Sequence, residues 1–473
     1  MFFRRILAIA ALLVAAAACT FDSTGPETSV VAASRPNTLP RDIERQVGPA
    51  YDSPQLQALV ERVGQKLVSD SSLPGSFHFY VLDQPIANAH ALPTGYVFVT
   101  RGLLSLIDDD AELAAAMGHE LGHIILKHAA ERERARKGIM DAAVAAALKS
   151  GSASVGRSVA RSGLLELRRY SRDQELEADK AGLGFIVKAG YRGSAMYSLI
   201  EKLRRQARLE DQLMGEASGG QAEEQSNAMS THPDPERRMA ALQQYDAVRR
   251  PGNADRAGYL ALIDGMSVDD RPEEGFVRGP EFLHPTLRLA FAAPADFRLF
   301  NASDGVLGVG ADRSAMFFSC TPKKIEGRLD DWMRNQIKPT PTSIQSTEIG
   351  GADAAIGARP RGEETGLSQI RYVLIRHDDG ICYFNLLSDG PDRDRRIEAL
   401  VAAARSFRTL SLTEAASLEP YRLHVVPRDG GTAAQFAQRM PYRDFKLARL
   451  LALNGVDSPD EFTRRTLVKL VQP

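Results

Sequence analysis

The stretch His119-Glu120-Leu121-Gly122-His123 lies in an alanine-rich segment that the sequence predicts to be helical. An Asp109-x-x-Glu112 pattern, related to the capping box, places the start of this helix at Asp109. Gly138 follows a charged tail and is the residue that we expect to end the helix. The sequence therefore predicts that the whole stretch lies within one helix.

The two histidines of this stretch can bind one metal ion. On a helix His119 and His123 are one turn apart and share a face. Glu120 is offset from His119 by about 100°, where a general base for a zinc-bound water is placed. Catalytic zinc needs three protein ligands and an open position. The sequence therefore predicts a site for one zinc ion per chain.

The third ligand is expected from a second carboxylate pair. Glu175 and Asp179 are again four residues apart, in Arg172-Asp173-Gln174-Glu175-Leu176-Glu177-Ala178-Asp179. One helix face then presents both carboxylates. One can bind the metal, while the other accepts a hydrogen bond from a ligand histidine and fixes its tautomer.

These two motifs together resemble the gluzincin family of zinc metallopeptidases, namely CAAX prenyl endopeptidases, HtpX membrane proteases and periplasmic BepA-type proteases. Residues 88–104 are also similar to the family, and the resemblance covers about residues 41–250. It implies His119, His123 and Glu175 as zinc ligands, Glu120 as catalytic base and Asp179 as the residue that orients a ligand. The membrane-embedded relatives have transmembrane helices that this chain lacks, so it looks like the periplasmic branch.

The resemblance also assigns roles around the metal. It implies that a strand at residues 96–100 edges the cleft, where an extended substrate can add by backbone hydrogen bonds. Residues 230–238 resemble the family's His-Pro segment, in which His232 occupies the open zinc position or acts as a latch; a turn or capping role is the alternative. Arg238 is a candidate for stabilising the oxyanion. We expect His90 and His128 to pack or hydrogen-bond outside the metal shell.

The N-terminus has the layout of a bacterial export signal. Residues 1–18 combine a basic start with a 13-residue apolar stretch, and Cys19 follows Ala16-Ala17-Ala18. Cys19 resembles a lipoprotein cysteine, which predicts acylation and a location on the periplasmic side of the outer membrane. Cleavage at Ala-x-Ala would instead give a soluble periplasmic protein. Residues 19–40 read as a flexible tether.

The composition excludes several classes of protein. Fifty-nine Lys and Arg balance 60 Asp and Glu over 473 residues, so there is no electrostatic footprint for nucleic acid. Three cysteines are too few for a Cys-rich metal module. Residues 139–148 are apolar but too short to span a bilayer, and we expect them to pack over the cleft or to meet a membrane or a partner.

The domain pattern predicts an α+β protein. A mainly helical peptidase domain with a small edge sheet occupies residues 41–250, and a linker follows at residues 251–275. Short alternating runs at residues 276–410 predict a small α+β domain of unknown role. Residues 421–473 are similar to a degenerate LysM domain, a βααβ module that binds peptidoglycan.

The remaining cysteines lie within the small α+β domain. Cys320 and Cys382 either pair as a disulfide, as export would favour, or remain two buried thiols.

The predicted function is an exported zinc metalloendopeptidase acting on unfolded or assembling envelope proteins, in quality control or processing. The alternative is a peptidoglycan-associated or chaperone-like protein whose metal site is latched or inactive. An intact zinc site with Glu120 favours the enzyme.

Overall fold

The computed structural model describes residues 39–69, 75–217 and 232–473, apart from 303, 311, 323, 339, 360–368, 379, 390 and 391. The predicted signal segment, Cys19 and most of the tether therefore lie outside the described residues. Within the described residues, no helix combines the length and apolar composition needed to cross a membrane.

A mainly helical region is followed along the chain by a strand-rich region, in the order that the sequence predicts. The helices are α1 (Arg41–Val47), α2 (Pro54–Ser69), α3 (Arg101–Leu106), α4 (Asp110–Ile125), α5 (His128–Ser150), α6 (Ala153–Lys188), α7 (Ser194–Ala217), α8 (Pro235–Leu242), α9 (Arg256–Ile263), α10 (Leu329–Gln336), α11 (Arg393–Arg405), α12 (Leu412–Ala416), α13 (Ala433–Gln438), α14 (Lys446–Leu453) and α15 (Pro459–Phe462). The strands are β1 (His78–Leu82), β2 (Ala89–Ala91), β3 (Tyr96–Thr100), β4 (Phe276–Arg278), β5 (Glu281–His284), β6 (Leu289–Ala292), β7 (Phe297–Ala302), β8 (Gly305–Gly310), β9 (Ser314–Thr321), β10 (Thr342–Ile349), β11 (Ala352–Ala358), β12 (Gln369–His377), β13 (Gly380–Ser388), β14 (Arg408–Thr409), β15 (Arg422–Pro427) and β16 (Leu467–Gln472).

A three-stranded sheet lies beside the motif helix α4, in the order β1-β3-β2. The predicted strand at Tyr96–Thr100 is confirmed as β3, but its expected edge position is wrong. β3 is central, because it pairs in parallel with β1 and antiparallel with β2. The edge nearest the motif helix is β2, since Ala89 lines the same cavity as His119 and Glu120.

The start of α4 is confirmed and its predicted end is wrong. The Asp109 side chain accepts a hydrogen bond from the backbone N–H of Glu112 at 2.9 Å and caps the helix. The helix ends at Ile125, and Lys127 adopts a left-handed conformation with φ 57°. Gly138 lies inside α5, where nothing lies within 4 Å of the position that a Cβ atom would take. The chain turns at Lys127, a residue type that carries no helix-ending signal.

The motif helix and α6 approach each other so closely that only glycine fits at two of their contact positions. A Cβ atom at Gly122 would lie 2.8 Å from the carbonyl oxygen of Ala178, and one at Gly182 would lie 2.9 Å from the backbone nitrogen of His119. Both distances are too short for ordinary packing. This contact brings the two predicted residue pairs, one on each helix, to the same place.

The small α+β domain is a separate core built on a seven-stranded antiparallel sheet, in the order β10-β11-β12-β13-β9-β8-β7. Helix α11 packs on β12 and β13, and α10 packs on β11. A four-stranded sheet, β14-β6-β5-β4, completes the domain. Cys320 and Cys382 face each other on paired strands β9 and β13, and a disulfide joins them.

The segment predicted as a linker contributes to the peptidase core. Residues 251–275 contain α9, whose Tyr259, Leu260 and Ile263 are buried among the core residues of the helical region. The Tyr259 hydroxyl donates a hydrogen bond to the carbonyl oxygen of Leu104 at 2.6 Å. This segment is thus part of the domain that holds the motif helix.

The C-terminal unit packs on this helical region as well. Its strands β15 and β16 pair antiparallel around α13, α14 and α15, an order that matches the predicted strand-helix-helix-strand pattern with one further short helix. Leu423 of β15 belongs to the core of the helical region. Arg205 of α7 makes a two-point ion pair with Asp457 at 2.8 and 2.9 Å. A LysM-like identity of this unit stays a prediction.

A buried ionic cluster joins the C-terminal unit to the start of α4. Lys202 binds Glu112 at 2.7 Å and Asp108 at 3.1 Å, while Arg465 binds Asp108 at 2.8 Å. Lys469 of β16 binds the same Asp108 carboxylate at 3.0 Å, and its side chain is 1% exposed. Burial raises the pKa of Asp108, but these three cations and Arg256, 3.9 Å away, outweigh burial and hold that pKa well below its usual range.

Lys469 also satisfies the carbonyl groups at the end of α3. Its Nζ donates hydrogen bonds to the backbone oxygens of Ser105, Leu106 and Ile107 at 2.9, 2.8 and 3.0 Å. Burial lowers the pKa of Lys469 to about 8, although the charge of Asp108 acts in the opposite direction. A single ammonium group thus ties the last strand to the helix that precedes α4.

We predict that Lys469→Met destabilises the protein by about 3–5 kcal/mol, because it leaves the charge of Asp108 buried with fewer partners. Urea unfolding followed by circular dichroism measures this loss. The double variant Asp108→Asn/Lys469→Met removes both charges and should lose less than the sum of the two single variants. Strict additivity of the two losses would contradict the assigned coupling.

Candidate active site

Three side chains from α4 and α6 converge on one point. The Nε2 atoms of His119 and His123 are 3.0 Å apart. The Glu175 carboxylate lies 3.4 Å from each of these two atoms, through Oε2 and Oε1 respectively. All three residues are buried. The structure therefore brings together the three predicted ligands.

His232 supplies a fourth donor to this cluster. Its Nδ1 lies 3.0 Å from Glu175 Oε2 and 3.2 Å from His119 Nε2, and its Nε2 lies 3.5 Å from Glu120 Oε1. The donor atoms of His119, His123, Glu175 and His232 all lie within 4.8 Å of one another. His232 thus lies between the three-donor cluster and Glu120.

The donor set fits a zinc ion. Nitrogen and oxygen ligands about 2.0–2.1 Å from tetrahedral zinc are about 3.3–3.4 Å apart, close to the distances within this cluster. Glu175 Oε1 is buried and makes no hydrogen bond among the described residues. A buried carboxylate oxygen without a donor is costly, and a cation at this point would satisfy it.

Asp179 and Arg238 orient His119 from the side of its ring that faces away from the donor cluster. Asp179 Oδ1 lies 2.8 Å from His119 Nδ1, which directs Nε2 toward the cluster. Arg238 donates two hydrogen bonds of 2.7 Å to the Asp179 carboxylate, and its side chain is 4% exposed. Its guanidinium is therefore engaged with Asp179, a placement that favours a positioning role over the predicted oxyanion contact.

The electrostatics of the ligands follow from these contacts. Burial and Arg238 lower the pKa of His119, but hydrogen bonds to Asp179 and Glu175 outweigh them and raise it to about 9. Burial lowers the pKa of His123 to about 3. Burial raises the pKa of Glu175, yet the three surrounding histidines outweigh burial and hold that pKa well below its usual range.

Glu120 lies beside the cluster without belonging to it. Its carboxylate is buried and faces the cavity that Ala89, Leu103 and Leu199 line. Burial raises the pKa of Glu120, while the neighbouring His232 and His119 oppose that shift. A carboxylate with a raised pKa is suited to accepting a proton and returning it.

His128 contacts a partner that the sequence did not identify. It lies outside the ligand cluster, as expected, with its Nδ1 2.9 Å from His123 Nδ1 and its Nε2 3.2 Å from Glu177 Oε2. It therefore orients the second histidine, as Asp179 orients the first. The left-handed Lys127 produces this contact, and no sequence signal marked it. His90 instead stacks on Phe98, with ring centroids 5.1 Å apart.

Comparison with known families agrees with this geometry. Residues 53–246 match the model described as Peptidase family M48. These residues are therefore similar to peptidase family M48. The predicted resemblance to metallopeptidases is confirmed for residues 53–246, which contain every residue of the cluster.

Several curated proteins are similar to part of the chain at moderate identity. The beta-barrel assembly-enhancing protease of Escherichia coli strain K12 is 26% identical over 253 residues, or 49% of this chain and 50% of that protein. The mitochondrial metalloendopeptidase OMA1 of Schizosaccharomyces pombe is 30% identical over 190 residues, or 39% of this chain and 52% of that protein. The OMA1 protein of Arabidopsis thaliana is 32% identical over 169 residues, or 36% of this chain and 31% of that protein. The chain thus spans about half the length of the first two of these relatives.

We predict that zinc affinity rises about tenfold per pH unit between pH 6 and 8, because zinc must displace the proton of His119. The metal-free His119 is protonated below its pKa of about 9, whereas His123 is already neutral in this range. Competition with a fluorescent zinc chelator measures the affinity.

The control for this experiment is Asp179→Asn, which removes a hydrogen bond that raises the pKa of His119. Its affinity at pH 8 should be 10–100-fold weaker, as found for partners of metal ligands in general. Its pH dependence should also be shallower. A wild-type affinity that does not change with pH would contradict the proton displacement.

Proposed function

We propose that the chain is a zinc-dependent metalloendopeptidase that hydrolyses peptide bonds of envelope proteins, in quality control or processing. The observation that supports this most directly is the placement of Glu120 beside the buried donor set of His119, His123 and Glu175. A site that only bound zinc for structural reasons would need no additional buried carboxylate facing a cavity.

The reaction follows from the positions of these residues. Zinc held by His119, His123 and Glu175 would polarise the scissile carbonyl and lower the pKa of a water. Glu120 accepts the proton of the attacking water on its carboxylate and delivers it to the leaving amine nitrogen. Asp179 keeps His119 Nε2 directed at the metal throughout. No covalent intermediate with the protein is required.

The walls of the cavity beside Glu120 limit which substrate segments can reach the site. Ala87, Asn88 and Ala89 form one wall next to the edge strand β2, and Leu199 and Leu203 of α7 form the other. An extended peptide could add to β2 by backbone hydrogen bonds. His232 lines this cavity together with His119 and Glu120, and its Nδ1 lies 3.0 Å from Glu175 and 3.2 Å from His119 Nε2. We therefore expect His232 to move when a substrate reaches the ligand cluster.

Several features support an exported protein that works on envelope substrates. The predicted signal segment precedes Cys19, which we propose is acylated and holds the chain at the periplasmic face of the outer membrane. The disulfide between Cys320 and Cys382 suits an oxidising compartment. A relative named beta-barrel assembly-enhancing protease supports assembling envelope proteins as the substrate class. Peptidoglycan binding by residues 421–473 stays a prediction.

We expect Glu120→Gln to lower casein cleavage by about 10²–10⁴-fold, because it removes the general base while keeping the side-chain volume. The zinc content of the purified variant, measured by atomic absorption, should equal that of the wild type. A chelator should abolish wild-type cleavage in parallel. Cleavage by Glu120→Gln at the wild-type rate would refute the assignment.

We expect His232→Ala to increase casein cleavage without loss of zinc, because the other three donors remain. If the closed arrangement holds about nine-tenths of the molecules, opening it raises kcat/KM about tenfold. The matched control is His90→Ala, a histidine near the same cavity that contacts none of the donors. Decreased cleavage with decreased zinc content would show that His232 is an essential ligand and no latch.

A further inference from the structure

Helices α5 and α6 form a long antiparallel hairpin between the two halves of the metal site. The hairpin arm, defined here as residues 133–161, continues away from the site that α4 and the C-terminal part of α6 build. The two helices touch where residues are small. A Cβ atom at Gly156 would lie 2.7 Å from the carbonyl oxygen of Ala143, and one at Gly163 would lie 2.6 Å from Ile139 Cγ2. This close contact makes the arm a stiff extension of α6.

The arm exposes large apolar side chains, whereas the exposed face of a helix in water is ordinarily polar. Among the described residues, eleven large apolar side chains are exposed, and four of them lie in the arm, namely Met140, Val144, Leu148 and Val155. The first three are spaced by four residues and share one face of α5. Val144 is 57% exposed and Leu148 is 79% exposed. Leu148 and Val155 flank the turn at Gly151, so the apolar group lies at the tip.

Basic side chains surround this apolar tip. The arm carries six Lys or Arg residues against Glu133 and Asp141, although the whole chain has 59 basic and 60 acidic residues. All six basic side chains are exposed, and Arg136 pairs with Glu133 at 3.0 Å. Lys149, Arg157 and Arg161 lie nearest the turn. An apolar group ringed by positive charge is the pattern of a surface that binds anionic lipid.

We propose that the hairpin arm docks on an anionic phospholipid surface, with Val144, Leu148 and Val155 entering the acyl boundary and Lys149, Arg157 and Arg161 contacting headgroups. The net positive charge of the arm favours anionic lipid over an uncharged surface. The apolar side chains are exposed on both sides of a helical turn, which favours insertion into a bilayer. This docking is independent of the proposed peptidase activity.

The proposal fixes the height of the metal site above the membrane. Glu175 and Asp179 belong to the same helix as Val155, twenty residues further along. At 1.5 Å per residue, the ligand Glu175 would lie about 30 Å from the docked tip along the helix axis. Chains that emerge from or approach the bilayer surface would then meet the site within this distance.

The test places an environment-sensitive fluorophore on the tip of the full-length, zinc-loaded chain. Leu148→Cys carries the label, and Leu412→Cys is the control, since Leu412 is 72% exposed outside the arm. Vesicles contain either phosphatidylcholine alone or phosphatidylcholine with about one third phosphatidylglycerol. We expect blue-shifted emission and quenching by bilayer-embedded quenchers for the label at residue 148 on anionic vesicles only, with no change at residue 412.

A charge reversal provides the second measurement. Arg157→Glu/Arg161→Glu should reduce the tip signal on anionic vesicles at least about tenfold, whereas Arg393→Glu/Arg395→Glu changes an exposed basic pair outside the arm and should leave it unchanged. An unshifted label at residue 148 on vesicles that carry the protein would overturn the proposal. A shift that appears without vesicles and grows with protein concentration would overturn it in favour of self-association.

Discussion

The backbone contact between α4 and α6 is the constraint on which the site depends. Gly122 meets Ala178 and Gly182 meets His119, so the two helices cross without intervening side chains. Only at this separation can His119 Nδ1 reach Asp179 at 2.8 Å. A larger residue at Gly122 would push α6 away and separate both carboxylates from both imidazoles. The glycine inside the motif thus matters as much for geometry as the residues that carry the chemistry.

The site also depends on the polar groups that orient the two imidazole rings of the donor cluster. His119 is oriented by Asp179, which Arg238 holds in turn, while His123 is oriented by His128 and through it by Glu177. Each imidazole therefore has a fixed Nε2 direction. The pKa values of the two histidines shift in opposite directions, because hydrogen bonds to Asp179 and Glu175 raise that of His119, whereas burial lowers that of His123.

The sequence predicted those parts of the structure that depend on neighbours along the chain. Asp109 caps α4 as its spacing with Glu112 indicated, and Tyr96–Thr100 forms the expected strand. It could not predict that this strand is central, because sheet order depends on partners far away in the chain. The sequence also could not predict that α4 ends just before Lys127, since neither glycine nor proline occurs there.

Long-range charge pairing was also beyond the sequence. Asp108 stands next to a predicted helix start, where an acidic residue is ordinarily solvated and interacts with the helix dipole. Nothing local indicated that Lys202, Arg465 and Lys469 would surround it. The three cations come from elements with unrelated patterns, and only the assembled fold brings them to one carboxylate. The contact of Arg238 with Asp179 was equally hidden, and its role at the oxyanion stays a prediction.

The ammonium group of Lys469 has a further consequence for the order of maturation. It reaches the end of α3 across 363 residues of chain. While the chain is synthesised from its N-terminus, the motif helix therefore emerges long before Arg465 and Lys469, two of the cations that surround Asp108 at its base. An uncompensated buried charge disfavours the final packing of that helix. We therefore expect the donor cluster to reach its final packing only after β16 has emerged.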